Sequence, residues 1–191
     1  MKIIHRMQDW AEAGSVVALG TFDGVHIGHA QLIREAVRLA EEFSVPAAAL
    51  TFDRHPLSLI RPEAVPKALT SPEEKRARLA ALGLDALIEH PFTPEFAALA
   101  PDEFFELLYR SLHPRALVVG FNYTFGRKGA GDAGLLSYLC KTRNVICRIM
   151  EPVCIDGRPV SSSRIRALMR DGNQQEAQAH LGRSEDSKNL K

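Results

Sequence analysis

Short apolar runs alternate along this chain with amphipathic stretches, and that alternation leaves few folds open. SVVALG at 15–20, PAAALTF at 46–52, DALIEHPF at 85–92, RALVVGF at 115–121 and NVICRIMEPV at 144–153 read as strands. Between them, HAQLIREAVRLAEEF at 29–43 brings Leu32, Ile33, Ala36, Val37, Leu39 and Ala40 largely onto one helical stripe. A second helix opens at Ser71-Pro72-Glu73-Glu74, a capping box with proline at the first helical position, and stops at Gly83. Further helices are expected over 101–112 and 133–143. Strands separated by helices of about ten to fifteen residues form βαβ units, so the expected fold is α/β with a mainly parallel sheet. Asp156-Gly157 predicts a tight turn. Two helices then follow, over 161–170 and about 173–181, stopped by Gly172 and Gly182. Pro56, Pro62, Pro66 and Pro72 break regular structure over 55–72, which predicts an irregular loop or a small flap.

The 191 residues suit one domain, expected over 1–183, with a frayed polar tail at 184–191. Hydrophobic residues at 46% and charged residues at 25% exclude a disordered chain. A net charge of +1 provides no wide basic field, so no nucleic-acid partner is expected. No run of eighteen apolar residues occurs, and MKIIHRMQDW lacks a leader's apolar core, so the expectation is a cytoplasmic protein without a membrane partner. Cys140, Cys147 and Cys154 are odd in number and not closely paired, which fits small buried or half-buried thiols rather than a disulfide framework.

Parallel sheets bind ligands outside the carboxyl ends of their strands, so the chemistry is sought just after each run. The first run leads into Gly20-Thr21-Phe22-Asp23-Gly24-Val25-His26-Ile27-Gly28-His29. Two histidines three apart, with a glycine that lets a ligand approach the backbone, stand where a helix begins. Free N–H groups and the positive dipole end there suit phosphate, and two imidazoles can donate to phosphoryl oxygens. The pair could alternatively ligate zinc, with His55 or Asp23 as the third ligand. The second constellation is Val160-Ser161-Ser162-Ser163-Arg164-Ile165-Arg166. One serine can cap the helix. Three hydroxyls plus Arg166, on the same side as Ser163, exceed what capping requires and suit a polyphosphate clamp. Gly129-Ala130-Gly131-Asp132-Ala133-Gly134 spells a dinucleotide fingerprint, but seven residues separate it from the strand before it, so a flexible loop is expected.

These segments resemble, in order and over roughly residues 15–183, the adenylyltransferase module of bacterial FAD synthetases, the bifunctional riboflavin kinase/FMN adenylyltransferases. The His-x-Gly-His segment, Thr51-Phe52-Asp53-Arg54-His55-Pro56, Pro91-Phe92, Val118 to Gly126 and Val160 to Arg166 carry the resemblance. It implies a Rossmann-like parallel sheet flanked by helices, of the HxGH nucleotidyltransferase superfamily, that transfers AMP from ATP to FMN and yields FAD and pyrophosphate. It implies ATP phosphates at His26 and His29, and β- and γ-phosphates at Ser162, Ser163 and Arg166. Gly20, Thr21, Phe22, Asp23 and Gly28 would face the nucleotide, and Phe52, Phe125 and Asn122 the flavin. Mg2+ would ride on the ATP phosphates without protein ligands. Phe52, ending a buried strand, can equally be core, whereas the glycine-rich surroundings of Phe125 make core less expected. The family's riboflavin kinase module has no counterpart in these residues. Two rival readings stand: another HxGH-type transferase with a different phosphate substrate, or a non-catalytic flavin- or nucleotide-binding module.

Overall fold

The computed structural model describes residues 1–183. The tail expected at 184–191 lies outside them. The elements run β1 (Lys2–Ile4), β2 (Ser15–Leu19), α1 (Ile27–Phe43), β3 (Ala47–Phe52), α2 (Leu57–Ile60), α3 (Pro72–Ala81), β4 (Ala86–His90), α4 (Pro94–Ala97), α5 (Pro101–Leu112) and β5 (Pro114–Gly120). There follow β6 (Thr124–Phe125), β7 (Gly131–Asp132), α6 (Ala133–Thr142), β8 (Ile146–Met150), β9 (Cys154–Ile155), β10 (Arg158–Pro159), α7 (Ser162–Arg170) and α8 (Gln174–His180).

Six strands form one sheet in the order β1-β4-β3-β2-β5-β8, every pairing parallel. The chain steps outward from β2 through β3 to β4, then returns to lay β5 on the other side of β2. That reversal opens a crevice beyond the carboxyl ends of β2 and β5. Successive side chains of a strand face opposite ways, and both faces are covered. Val17, Leu19, Leu50, Ile88 and Val119 pack with Phe104, Phe105 and Leu108 of α5 and Leu136 of α6. Val16, Ala18, Ala49 and Val118 pack with Leu32, Ile33, Ala36 and Leu39 of α1 and Leu79 of α3. The stripe read from the sequence of α1 is therefore its buried face. Val160, Ile165, Leu168, Ala177 and Leu181 make a third, smaller core under α7 and α8.

Several expectations are corrected. Lys2–Ile4 form an edge strand that three residues gave no periodicity to reveal. Helix α1 starts at Ile27 rather than 29, because His26, its backbone extended at φ −71° and ψ 172°, caps it by accepting the His29 N–H on its ring. The glycine-rich stretch after Phe125 is no flexible loop: β6 and β7 pair antiparallel, and Asp132 caps α6 by accepting the Leu135 N–H at 2.8 Å. The Pro-rich stretch 55–72 contains the single turn α2 and a 3-10 turn at Pro62–Ala64. Cys140 is buried and Cys147 half-buried, but Cys154 is exposed on the β9–β10 hairpin.

Candidate active site

A cavity of about 530 Å³ opens beyond the carboxyl ends of β2 and β5. One wall carries Gly20, Thr21, Phe22, His26, Gly28 and His29, and another carries Ser161, Ser162 and Ser163. The segments lie more than 130 residues apart, yet Ser162 Oγ donates to the Asp23 carbonyl at 2.9 Å. Both constellations singled out in the sequence thus meet at one rim.

The turn that presents the histidines is tightly wound. Phe22 and Val25 have left-handed backbones at φ 51° and 42°, around Gly24 at 83°. Such conformations in residues other than glycine cost of order 1 kcal/mol or more each and persist only where surroundings hold them. Here the Phe22 ring is wholly buried, packs over Gly20 and meets the His29 ring edge-on at 5.3 Å. A methyl at Gly24 would stand 2.9 Å from Leu69 Cδ1, so both its backbone and its surroundings require glycine.

His26 and His29 stack with ring centroids 3.6 Å apart and planes 14° from parallel. His26 Nδ1 accepts the His29 backbone N–H at 3.2 Å, so the neutral ring carries its proton on Nε2. Burial lowers the His26 pKa to about 4, against a smaller opposing pull from Asp23. Burial, then the neighbouring His26 and Lys75, also push His29 well below the usual imidazole range. Both rings are neutral at pH 7, as hydrogen-bond donors rather than charges. His29 Nδ1 is buried without a hydrogen-bond partner among the described residues.

The three serines divide their work. Ser161 Oγ caps α7 by accepting the Arg164 N–H at 3.2 Å, Ser162 holds the loop carbonyl, and Ser163 is exposed at the rim. Arg164 turns away to Glu176 and His180. Asp23 and Arg166 are absent from the cavity wall, contrary to a simple lining role. They form an ion pair behind it, where Asp23 Oδ1 also accepts the Leu69 N–H at 2.9 Å and Arg166 Nε donates to the Lys67 carbonyl at 2.8 Å. His55 is not gathered with the histidine pair into a metal cluster. Its Nδ1 accepts the Leu57 N–H at 3.1 Å, and among the described residues no three metal-ligating side chains come together.

The far wall is aromatic. Phe52, half-buried, meets Phe92 at 4.9 Å and Phe96 at 5.6 Å, and all three line the cavity. Asn122 lines it from an exposed turn. Phe125 corrects the sequence reading. It is 6% exposed and packs into the core beside Phe104 and Tyr123, so at most its edge reaches the cavity. Its ring lies within 2.7 Å of where a methyl on Gly131 would stand. The glycine-rich context that suggested exposure instead makes room for the ring. An exposed ring is present nearby in Phe121, which sequence reasoning passed over as the end of a strand. Sequence reasoning also missed Lys75 of α3. Its Nζ donates to the Thr21 carbonyl at 2.8 Å and to Thr51 Oγ1 at 2.9 Å. A lysine in the first turn of an amphipathic helix carries no signal of that reach.

With this geometry in view, comparison with known proteins is specific. A model of the FAD synthetase family matches residues 8–164. The bifunctional riboflavin kinase/FMN adenylyltransferase of Listeria monocytogenes is 35% identical over 177 residues, covering 91% of this chain and 55% of that protein. A putative bifunctional riboflavin kinase/FMN adenylyltransferase of Geobacillus thermodenitrificans is 37% identical over 183 residues, covering 95% of this chain and 97% of that one. The chain spans about half the length of the Listeria relative and nearly all of the Geobacillus one. Among solved structures, a Streptococcus pneumoniae protein described as a macrolide-efflux protein superposes with a TM-score of 0.81 at 31% identity, over 94% of this chain and 59% of its own. Among the described residues here, no helix is long and apolar enough to cross a membrane. Pantoate-beta-alanine ligase of Francisella tularensis, at TM-score 0.57 and 16% identity over 100% of this chain and 82% of its own, shares the fold alone. The family model spans five of the six sheet strands, the histidine turn and the first serines of α7, and the chain belongs to the FAD synthetase family.

Proposed function

We propose that this chain is an FMN adenylyltransferase. An oxygen of the FMN phosphate attacks the α-phosphorus of ATP, the bond from that phosphorus to the β-phosphate bridge breaks, and FAD and pyrophosphate result. The observation that carries the reading is the meeting of the histidine pair, the serine-rich start of α7 and an aromatic wall in one cavity. A phosphate monoester has its second pKa near 6, so the nucleophile is ionised at neutral pH and no general base is required. Catalysis is positioning plus stabilisation of charge on the phosphoryl oxygens.

His26 donates from Nε2 to an ATP phosphate oxygen, its other nitrogen being held by the helix backbone. His29 stabilises the charge that develops at the α-phosphate. Ser162, Ser163 and the N–H groups opening α7 receive the departing pyrophosphate. Arg166 joins them by exchanging Asp23 and the Lys67 carbonyl for phosphate oxygens. Gly20, Thr21, Phe22 and Gly28 face the nucleotide, with Asp23 behind them. The isoalloxazine lies against Phe52 and hydrogen-bonds Asn122, and Phe125 supports that wall from beneath. Pro56 and Ile60, from the Pro-rich segment, line the cavity. Mg2+ arrives on the ATP phosphates.

The test incubates the purified chain with ATP, Mg2+ and either FMN or riboflavin. FAD and pyrophosphate should appear together, and only from FMN. Absence of FAD from the FMN mixture refutes the reading.

A further inference from the structure

The cavity must receive two phosphorylated molecules, yet its wall carries one cationic side chain, Lys128, on the turn beyond β6. Arg166 is paired with Asp23, and in the reading above it leaves that partner for the departing pyrophosphate, not for FMN. The ammonium nearest the histidine turn is that of Lys75, which reaches in from α3 behind the wall. It is half-buried, and among the described residues it pairs with no carboxylate. The two neighbouring acids are already taken: Glu89 holds Arg76 at 2.6 Å, and Asp23 holds Arg166. A cation withdrawn from water without a counter-charge is costly, and burial accordingly lowers its pKa below that of a free lysine.

The contacts of Nζ say where its charge is directed. One N–H goes to the Thr21 carbonyl in the turn that carries the histidines. A second goes to the Thr51 hydroxyl, which itself donates to Thr21 O at 3.1 Å. Thr51 is 1% exposed and immediately precedes Phe52 of the aromatic wall. Lys75 therefore stands under Thr21 of the cavity-lining turn, on the face of β3 opposite to that of Phe52. An ammonium has three donors, and among the described residues the third has no acceptor.

We propose that Lys75 is a positioning residue for the acceptor: it fixes the Thr21 carbonyl and supplies the positive charge that orients the phosphate of FMN. The inference rests on the FMN adenylyltransferase reading above. It assigns a function to a side chain that is otherwise an unexplained charge within the fold. It would also make the site favour the phosphorylated flavin, because riboflavin offers this cation hydroxyls but no negative charge.

The test compares binding of FMN with binding of riboflavin, followed by quenching of flavin fluorescence, in the full chain. Wild type should prefer FMN. Lys75→Met should lose about tenfold of that preference, the attraction lost with one partly buried positive charge, while riboflavin affinity changes less than about twofold. Lys75→Arg, which keeps charge and donors, should recover most of the preference. Thr51→Val, which keeps the ammonium, should retain it. In turnover, Lys75→Met should raise KM for FMN and leave KM for ATP within about twofold. An unchanged FMN preference in Lys75→Met overturns the proposal, as does a parallel loss of riboflavin affinity, which would mark a structural role. Failure of wild type to form FAD refutes the adenylyltransferase reading instead, and the binding comparison does not depend on it.

Discussion

Asp23→Asn isolates one interaction that ties the beginning of the site to its end. The Asp23 and Arg166 side chains are 15% and 17% exposed, so their attraction is little screened by solvent. Asparagine retains an oxygen for the Leu69 N–H but turns an amide NH2 toward the guanidinium, which places donor against donor. Breaking a fully buried pair costs about 3–5 kcal/mol. Partial access to water at this edge reduces that to about 2–3 kcal/mol, and Arg166 keeps its bond to the Lys67 carbonyl. For a domain of this size each kcal/mol lowers Tm by about 2–4 °C, so a fall of about 5–10 °C is expected in differential scanning calorimetry. Arg166→Met and the double variant complete a cycle whose coupling should be about 2 kcal/mol. ATP should stabilise Asp23→Asn more than wild type, since Arg166 then has no carboxylate to leave. A fall of less than about 2 °C, with additive single effects, would refute the account of this pair.

His29→Ala should lower the rate of FAD formation by about 10²–10³-fold, measured in a single turnover, with Tm nearly kept; near wild-type turnover would remove His29 from the mechanism. Stability should fall on mild acidification. The unfolded chain protonates His26 near pH 6.5, whereas the folded ring resists until about pH 4, and His29 is lowered as well. Stability present above pH 6.5 is therefore lost as pH falls toward 4, by at most about 1.4 kcal/mol per pH unit per histidine. A Tm that stays flat from pH 7 to pH 5 would contradict it. Phe125→Ala should cost about 3–5 kcal/mol of stability as a core truncation, read from denaturant melts. Phe52→Ala should instead weaken binding of FMN and riboflavin alike; the reverse pattern would exchange the two roles.

The sequence made the site's polar groups legible and its apolar ones less so. His26, His29 and the three serines are conspicuous because each stands where an apolar strand hands over to a helix, and such junctions have few purposes. The α/β fold followed from the same alternation. Phe125 was misjudged because its neighbours in sequence are glycines, while its neighbours in space are Phe104 and Tyr123. The pairing of Asp23 with Arg166 and the reach of Lys75 to Thr21 join residues 143 and 54 positions apart, which no local pattern encodes. The strand at Lys2–Ile4 was too short to show a period, and it is specified by its partner, β4.

Residues 21–24 take partners from Thr51, from Leu69 and Thr70, from Lys75, and finally from Ser162 and Arg166. A polypeptide emerging from the ribosome would therefore carry both histidines long before it had anything to hold them. Contacts so distant along the chain form slowly, because the intervening loop must be closed first. Nascent fragments that end before α7 should accordingly be unable to grip a nucleotide, and competence should arrive abruptly as α7 and α8 dock.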